Sequence, residues 1–358
     1  MILNPKKLIG FLGRKIGGQR YQNLRDHLFN SFEHYRRELD TILIRCNISP
    51  TDSLYHRLSK SLYSDDNLNE NDSSSRKAIC ILDGSFTHGG LTDRIRGILS
   101  VYQEAKRRDI PFYIYWIHPF ILSKFLLPAD PNTLDWRISE DALCRNLKHS
   151  KLIIADDLTE TESQHRLEAS FHSNHQQLHF YTNADIGRGS YQYLFNELFK
   201  PSPLLKVALR KHQSRLTSAY QAFAFRFLTL LDDFTDFKVP ELSPEQQETL
   251  MQKVEEELRR LIKEIPDDQS IFITGDSIRF LNRVRNIDPR IYVVDGDIRH
   301  IDLDTNQTEE TELKTFVDQF LLMGAYKVTL LRTGRMYRSG FSRFAAEVGG
   351  AEFIDHEF

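Results

Sequence analysis

Four short segments carry the residue types best suited to chemistry. In the strongly apolar stretch from Tyr220 to Phe234, one cation, Arg226, stands near the end of what reads as a strand. A charge there is costly unless an anion meets it. A guanidinium presents a planar fork that grips two phosphate oxygens at once, so a diphosphate is the ligand that Arg226 points to. An internal ion pair with Asp232 or Asp233 is the alternative. The run from Asp83 to Gly97 places Gly89 and Gly90 in a turn directly before a helix, with His88 and Asp93 as candidate proton acceptors. Glycines permit close ligand approach, and a helix start offers free amides. Neither Gly-x-Gly-x-x-Gly nor a P-loop Gly-Lys-Ser/Thr occurs, which removes support for nicotinamide or ATP chemistry. On the plainer account this is a tight turn whose Asp93, Arg94 and Arg96 are solvent-facing charges.

The third segment runs from Ile271 to Phe280 and sets Asp276 and Ser277 at a strand-to-helix junction. Ligands bind at the carboxyl ends of parallel strands, where Asp276 could accept from a base or ribose, but either residue also serves as a plain N-cap. The fourth, Arg335 to Ala346, opens a late helix with Ser339, Gly340, Phe341 and Ser342; it can present amides and hydroxyls to an anion, or Ser339 can simply cap. Asp295, Asp297 and Asp302 cluster after another strand, but a turn followed by a hairpin accounts for them, and no metal site is assigned.

The elements that must position these residues alternate. Strands are expected at 78–82, 112–117, 151–155 and 178–182, with a helix over 91–107. In the second half the expected strands are 219–227, 270–274, 291–294 and 327–331, separated by helices at 244–264, 276–284, 310–323 and 341–348. Parallel sheets need such crossovers, so both halves read as Rossmann-type α/β units, with the crossing between them near residues 200–215. Ahead of them, residues 1–26 hold six Lys or Arg among apolar residues and one acid, a pattern suited to peripheral contact with an anionic membrane face or to packing on the body. Residues 26–45 have helical apolar spacing, and 64–75 read as a linker with almost nothing to bury.

Composition sets outer limits. The chain has 358 residues and a net charge of −3, so no whole-molecule field draws it to nucleic acid. Its three cysteines, Cys46, Cys80 and Cys144, lack the paired spacing of a zinc site and suit a reducing compartment. No apolar run reaches the roughly 18 residues of a spanning helix, and the start lacks a signal-peptide pattern, so a cytoplasmic location is expected.

Gly89, Gly90, Leu91, Asp93, Arg94, Ile95 and Gly97 after the first strand resemble the opening motif of bacterial proteins related to the nodulation fucosyltransferases; a similar turn opens the α-1,2-fucosyltransferases. The strand bearing Arg226 resembles that superfamily's His-x-Arg element, with Ala224 in the histidine position, and Ser339 to Ser342 resemble its late Ser/Phe/Ser element. The likeness spans about residues 79–358, and the motifs follow the family's order. It implies an α/β fold of two Rossmann-like domains in a GT-B arrangement after an N-terminal helical extension: residues 1–63 as extension, 64–76 as linker, 77–210 as acceptor domain and 211–358 as nucleotide-sugar domain. It further implies a metal-independent, inverting transfer of fucose from GDP-fucose to a glycan or polysaccharide. Arg226 would hold the donor phosphates and promote loss of GDP. Gly89, Gly90, Asp276, Ser277, Ser339, Gly340, Phe341 and Ser342 would contact the donor, with Asp93 first and His88 second as base. A GT-B transferase for another nucleotide sugar and a catalytically silent glycan-binding scaffold are the rival readings.

Overall fold

The computed structural model describes residues 76–358 except 86–87, 156–158, 186–190, 235–240 and 303–307, together with Tyr55, Leu58, Ser59, Leu62 and Tyr63. The expectations for residues 1–26, 26–45 and 64–75 lie outside the described residues. The chain divides into units 1–61 and 62–358, and every element below belongs to the second.

In its first half the order is β1 (Lys77–Leu82), α1 (Leu91–Arg107), β2 (Phe112–Trp116), β3 (Leu126–Pro128), β4 (Ser150–Ala155), α2 (Glu160–Ser170), β5 (Gln177–Thr182), α3 (Tyr191–Leu198) and β6 (Phe199–Pro201). A connecting helix, α4 (Pro203–Gln213), leads to β7 (Tyr220–Phe225), α5 (Pro244–Ile262), β8 (Ser270–Gly275), α6 (Ile278–Val284), β9 (Ile291–Tyr292), α7 (Glu309–Gly324), β10 (Lys327–Arg332), α8 (Gly340–Gly349) and β11 (Glu352–Glu357). The first sheet is parallel in the order β2-β1-β5-β4, and the second is parallel in the order β11-β10-β7-β8-β9. β3 and β6 form a small antiparallel pair.

Sequence dictates these elements through burial. In β1, β7, β8 and β10 the central residues are buried on both faces, as near-continuous apolar runs covered by crossover helices require. Helix α1 covers the first sheet at unusually close range: a Cβ on Gly97 would stand 2.3 Å from the carbonyl oxygen of Thr182 in β5. Only glycine permits that approach.

In the second sheet two neighbouring strands send their following segments to opposite sides, β7 toward β8 and β10 toward β11, whereas in the first the helices that follow β1 and β5, α1 and α3, pack against each other. In open parallel sheets such crevices at the carboxyl ends bind ligands. One apolar core runs through both halves; Phe125 stacks on Phe316 of α7 at 4.6 Å, and Phe120 meets the same ring at 5.6 Å. Among the described residues no hairpin follows β9. β9 ends at Tyr292, and Asp295 to Asp302 form an irregular segment whose last carboxylate pairs with Arg94 in the first half.

Candidate functional site

The crevice between β7 and β10 is built first by the backbone. β7 ends at Phe225, and the carbonyl of the next residue, Arg226, accepts from the Tyr337 amide at 2.9 Å, tying the end of β7 to the loop that follows β10. The Arg226 guanidinium lies over the Phe234 ring at 4.6 Å, with 22% of its side chain exposed. Its carboxylate partner is not the nearby Asp232 or Asp233 but Asp276, at the end of β8, 3.3 Å away. The chain after Arg226 turns through Leu228, whose φ of +57° is unusual for a bulky residue and costs about 1–2 kcal/mol. That turn carries Asp232 and Asp233 away from the cation; Asp233 instead accepts from the Ser277 hydroxyl at 2.7 Å and the Arg279 amide at 2.9 Å.

Asp276 explains how the strained turn persists. Its carboxylate, only 3% exposed, accepts from the amides of Phe227 at 2.8 Å and Leu228 at 2.7 Å. Burial raises its pKa, and Arg226 and the two amides oppose that shift. Both Asp276 oxygens are thus engaged and covered beneath Arg226. Ser277 likewise caps α6, accepting from the Phe280 amide at 3.0 Å while donating to Asp233; its side chain is buried.

Across the crevice, α8 starts with Ser339 as N-cap, its hydroxyl accepting from the Phe341 amide at 3.2 Å. The first-turn amides of a helix have no intrahelical acceptor and suit an anion. Ser342, in the same turn, is fully buried, and its Oγ has no hydrogen-bond partner among the described residues. Such an orphan costs about 1–3 kcal/mol and is expected where a ligand completes the bonding.

The first half presents its own helix start to this turn. Gly89 has a φ of +78°, and the Asp93 carboxylate accepts from the Gly90 amide at 3.1 Å. Arg96 pairs with Asp93 and reaches Asp185 at 3.2 Å; its Nη1 lies 3.8 Å from where a Cβ on Gly340 would stand. Arg96 therefore faces the first turn of α8 and carries the Asp93 carboxylate beside it. His88 is buried and stacked on Tyr181 at 6.3 Å; burial foremost, then Arg94 and His118, hold its imidazole well below the usual histidine range. Of the two expected bases, Asp93 is the accessible one, with 40% of its side chain exposed.

Arg94 does not take the solvent-facing position of the plainer account. It is fully buried, donates to the carbonyls of Gly89 at 3.0 Å and His118 at 2.6 Å, lies over the Trp116 ring at 5.1 Å and pairs with Asp302. The helical phase of Leu91, Arg94, Ile95, Ile98, Tyr102 and Ala105 carries the signal for this: Arg94 stands on the inward stripe.

At the end of β1, Asp83 accepts from Arg145 at 3.1 Å and Tyr181 at 3.4 Å. Beside it, His179 Nε2 donates to Gln177 Oε1 at 2.8 Å, an oxygen that can only accept, so Nδ1 accepts from the Tyr63 hydroxyl at 2.6 Å. Burial pushes the His179 pKa down to about 3. Among the described residues, no group of three or more His, Cys, Asp or Glu is arranged to hold a metal ion, and no helix is long and apolar enough to cross a membrane.

No protein-family model matches the chain, and no curated protein matches it. Solved structures do. The fucosyltransferase NodZ from Bradyrhizobium aligns with a TM-score of 0.50 and 15% identity, over 76% of this chain and 92% of that one. A mutant of Arabidopsis thaliana FUT1 in complex with GDP aligns at 0.49 and 12%, over 93% and 82%. POFUT1 in complex with GDP aligns at 0.49 and 12%, over 80% and 99%. The likeness to NodZ is one of fold: this chain has the two Rossmann-like halves of a GT-B arrangement.

Proposed function

We propose that the chain is an inverting glycosyltransferase that moves fucose from GDP-fucose to a glycan acceptor. The observation that carries this reading is the convergence of Arg226 and the α8 N-terminus on the two sides of the β7/β10 crevice. The fold shared with NodZ and the motif order support fucose as the sugar. The second half takes the nucleotide sugar, and the first half takes the acceptor.

In the proposed step the acceptor hydroxyl oxygen forms a bond to the anomeric carbon from the face opposite GDP. The bond from that carbon to the β-phosphate oxygen breaks, and its electron pair leaves with GDP. Arg226 and the first-turn amides of α8 meet the charge that grows on the β-phosphate. Preorganised donors of this kind typically contribute on the order of a hundred- to a thousand-fold each. Asp93 takes the proton, with Arg96 holding its carboxylate in place. Ala224, buried in β7, stands where the related motif has histidine, so no imidazole assists Arg226 from that position.

Calorimetric titration with GDP, UDP and GDP-fucose, followed by transfer of labelled fucose to a panel of glycans, tests the reading. GDP binding with UDP excluded, and label appearing in a glycan, is expected. UDP binding in place of GDP would replace the donor, and glycan binding without nucleotide affinity would overturn the enzymatic reading.

A further inference from the structure

From Leu198 to Leu231 the sequence contains no Asp or Glu, yet it holds Lys200, Lys206, Arg210, Lys211, Arg215 and Arg226. In a chain of net charge −3 this is a local concentration of positive charge, and helix α4 lies within it. The inner face of α4 is fixed: Leu205 and Leu209 are buried, and the helix packs against α7. Its outer face is exposed, and that face is not uniformly polar. Val207 is 66% exposed, the most of any large apolar side chain among the described residues, and Leu204 is 38% exposed.

Helical spacing orders these residues. Leu204, Val207 and Lys211 fall three and four apart and form one stripe; Lys206 and Arg210, four apart, form a row beside it. Lys206, Arg210 and Lys211 make no ion pair among the described residues, whereas Arg259, Arg260, Arg283 and Arg343 on other surface helices each pair with a glutamate. The positive field of α4 is therefore not cancelled locally. Exposed cations alone would suit any polyanion. Two apolar side chains set among them add something a soluble polyanion does not use: they fit the headgroup and acyl boundary of a bilayer, where Lys and Arg stems lie along apolar surface and keep their charges at the phosphates.

We infer that the outer face of α4 is a docking surface for an anionic phospholipid membrane, with Lys206, Arg210 and Lys211 meeting headgroup phosphates and Leu204 and Val207 entering the interface. This does not rest on the transferase reading, since none of these residues belongs to the β7/β10 crevice.

The test is co-sedimentation of the full chain with vesicles of phosphatidylcholine alone and of phosphatidylcholine mixed with phosphatidylglycerol. Binding to the anionic vesicles only, abolished by high salt, is expected. The combined Lys206→Glu, Arg210→Glu and Lys211→Glu substitutions should lower the bound fraction at least about tenfold, since each cation near such a surface is worth roughly a factor of five. Val207→Asp should weaken binding with all cations present, and unchanged circular dichroism would show both variants folded. Unchanged vesicle binding by the triple variant would overturn the proposal and assign any attachment to another segment, such as residues 1–26. Binding to dextran sulfate that Val207→Asp leaves intact, without vesicle binding, would overturn it in favour of a soluble polyanion.

Discussion

The carboxyl ends of the two parallel sheets are furnished differently. At β7/β10 an arginine and a helix start converge, and a buried carboxylate beneath them is spent on two backbone amides. At β1/β5 the charges close on one another: Asp83 with Arg145 and Tyr181, Asp93 with Arg96, Arg94 with Asp302. In the first, Arg226 stays 22% exposed beside a single carboxylate and the helix start keeps its amides. In the second, each cation named is met by a carboxylate. On the proposed reading, the contrast teaches that similar sheets separate an anionic donor from a neutral acceptor by how completely they balance their own charge.

The largest effect should come from the bond between the halves. Removing one partner of a buried ion pair typically costs about 3–5 kcal/mol, so Asp302→Leu should lower stability by that order in urea unfolding. The pair Arg94→Met with Asp302→Leu should recover much of the loss. A double variant as unstable as the single one would mean that Arg94 acts through Gly89, His118 and Trp116 rather than through Asp302.

Arg226→Ala should reduce transfer by about a hundred- to a thousand-fold, on the order of 2.7–4 kcal/mol, and should also lower stability by less than the loss of Asp302 does, since Asp276 keeps its two amide donors. Arg145→Ala, its counterpart at β1/β5, should leave GDP affinity unaltered and act on acceptor KM. Equal loss of GDP affinity in both variants would erase the division of labour between the two sheets.

Acid should unfold the first half's network through its histidines. His179, at about 3, and His88, also depressed, stay neutral when folded and take up protons near pH 6.5 when unfolded. Stability is therefore full above about pH 6.5 and falls as pH drops below it, by up to about 1.4 kcal/mol per pH unit for each histidine. Urea midpoints between pH 7.5 and 5.5 would measure the slope, and His179→Gln should flatten it.

Ser342→Ala is the mildest test. The free protein should keep its stability within about 1 kcal/mol, because the hydroxyl has no partner to lose among the described residues. GDP affinity should nonetheless fall several-fold if Ser342 completes the anion site; unchanged affinity would leave α8 contributing amides alone.

Much of the scaffold was legible in sequence. Helix α1 appears where expected because apolar residues recur on its inner face and Lys106 and Arg107 mark its last turn. Helix α2 went unread because Glu, Thr, Ser, Gln, His and Arg fill most of its positions and little apolar periodicity remains. Strand β11, an edge strand, breaks its apolar pattern with Glu352, Asp355, His356 and Glu357. At the site, the need of Arg226 for an anion was readable from its isolation in an apolar stretch. Its actual partner was not, because Asp276 belongs to the next strand and becomes a neighbour only through sheet pairing. Arg94 is the opposite case: its charge allows a surface position, and the phase of its own helix places it inside.

The packed rings of Phe120, Phe125 and Phe316 bear on how this molecule can be cut. Because one core serves both sheets, a fragment ending near α4 would leave aromatic faces of either half bare to water. Neither half should be obtainable as a well-behaved separate protein, and heating the intact unit should give a single calorimetric transition. Any motion that admits a ligand must then fall to loops and side chains, with the two sheets held in one piece.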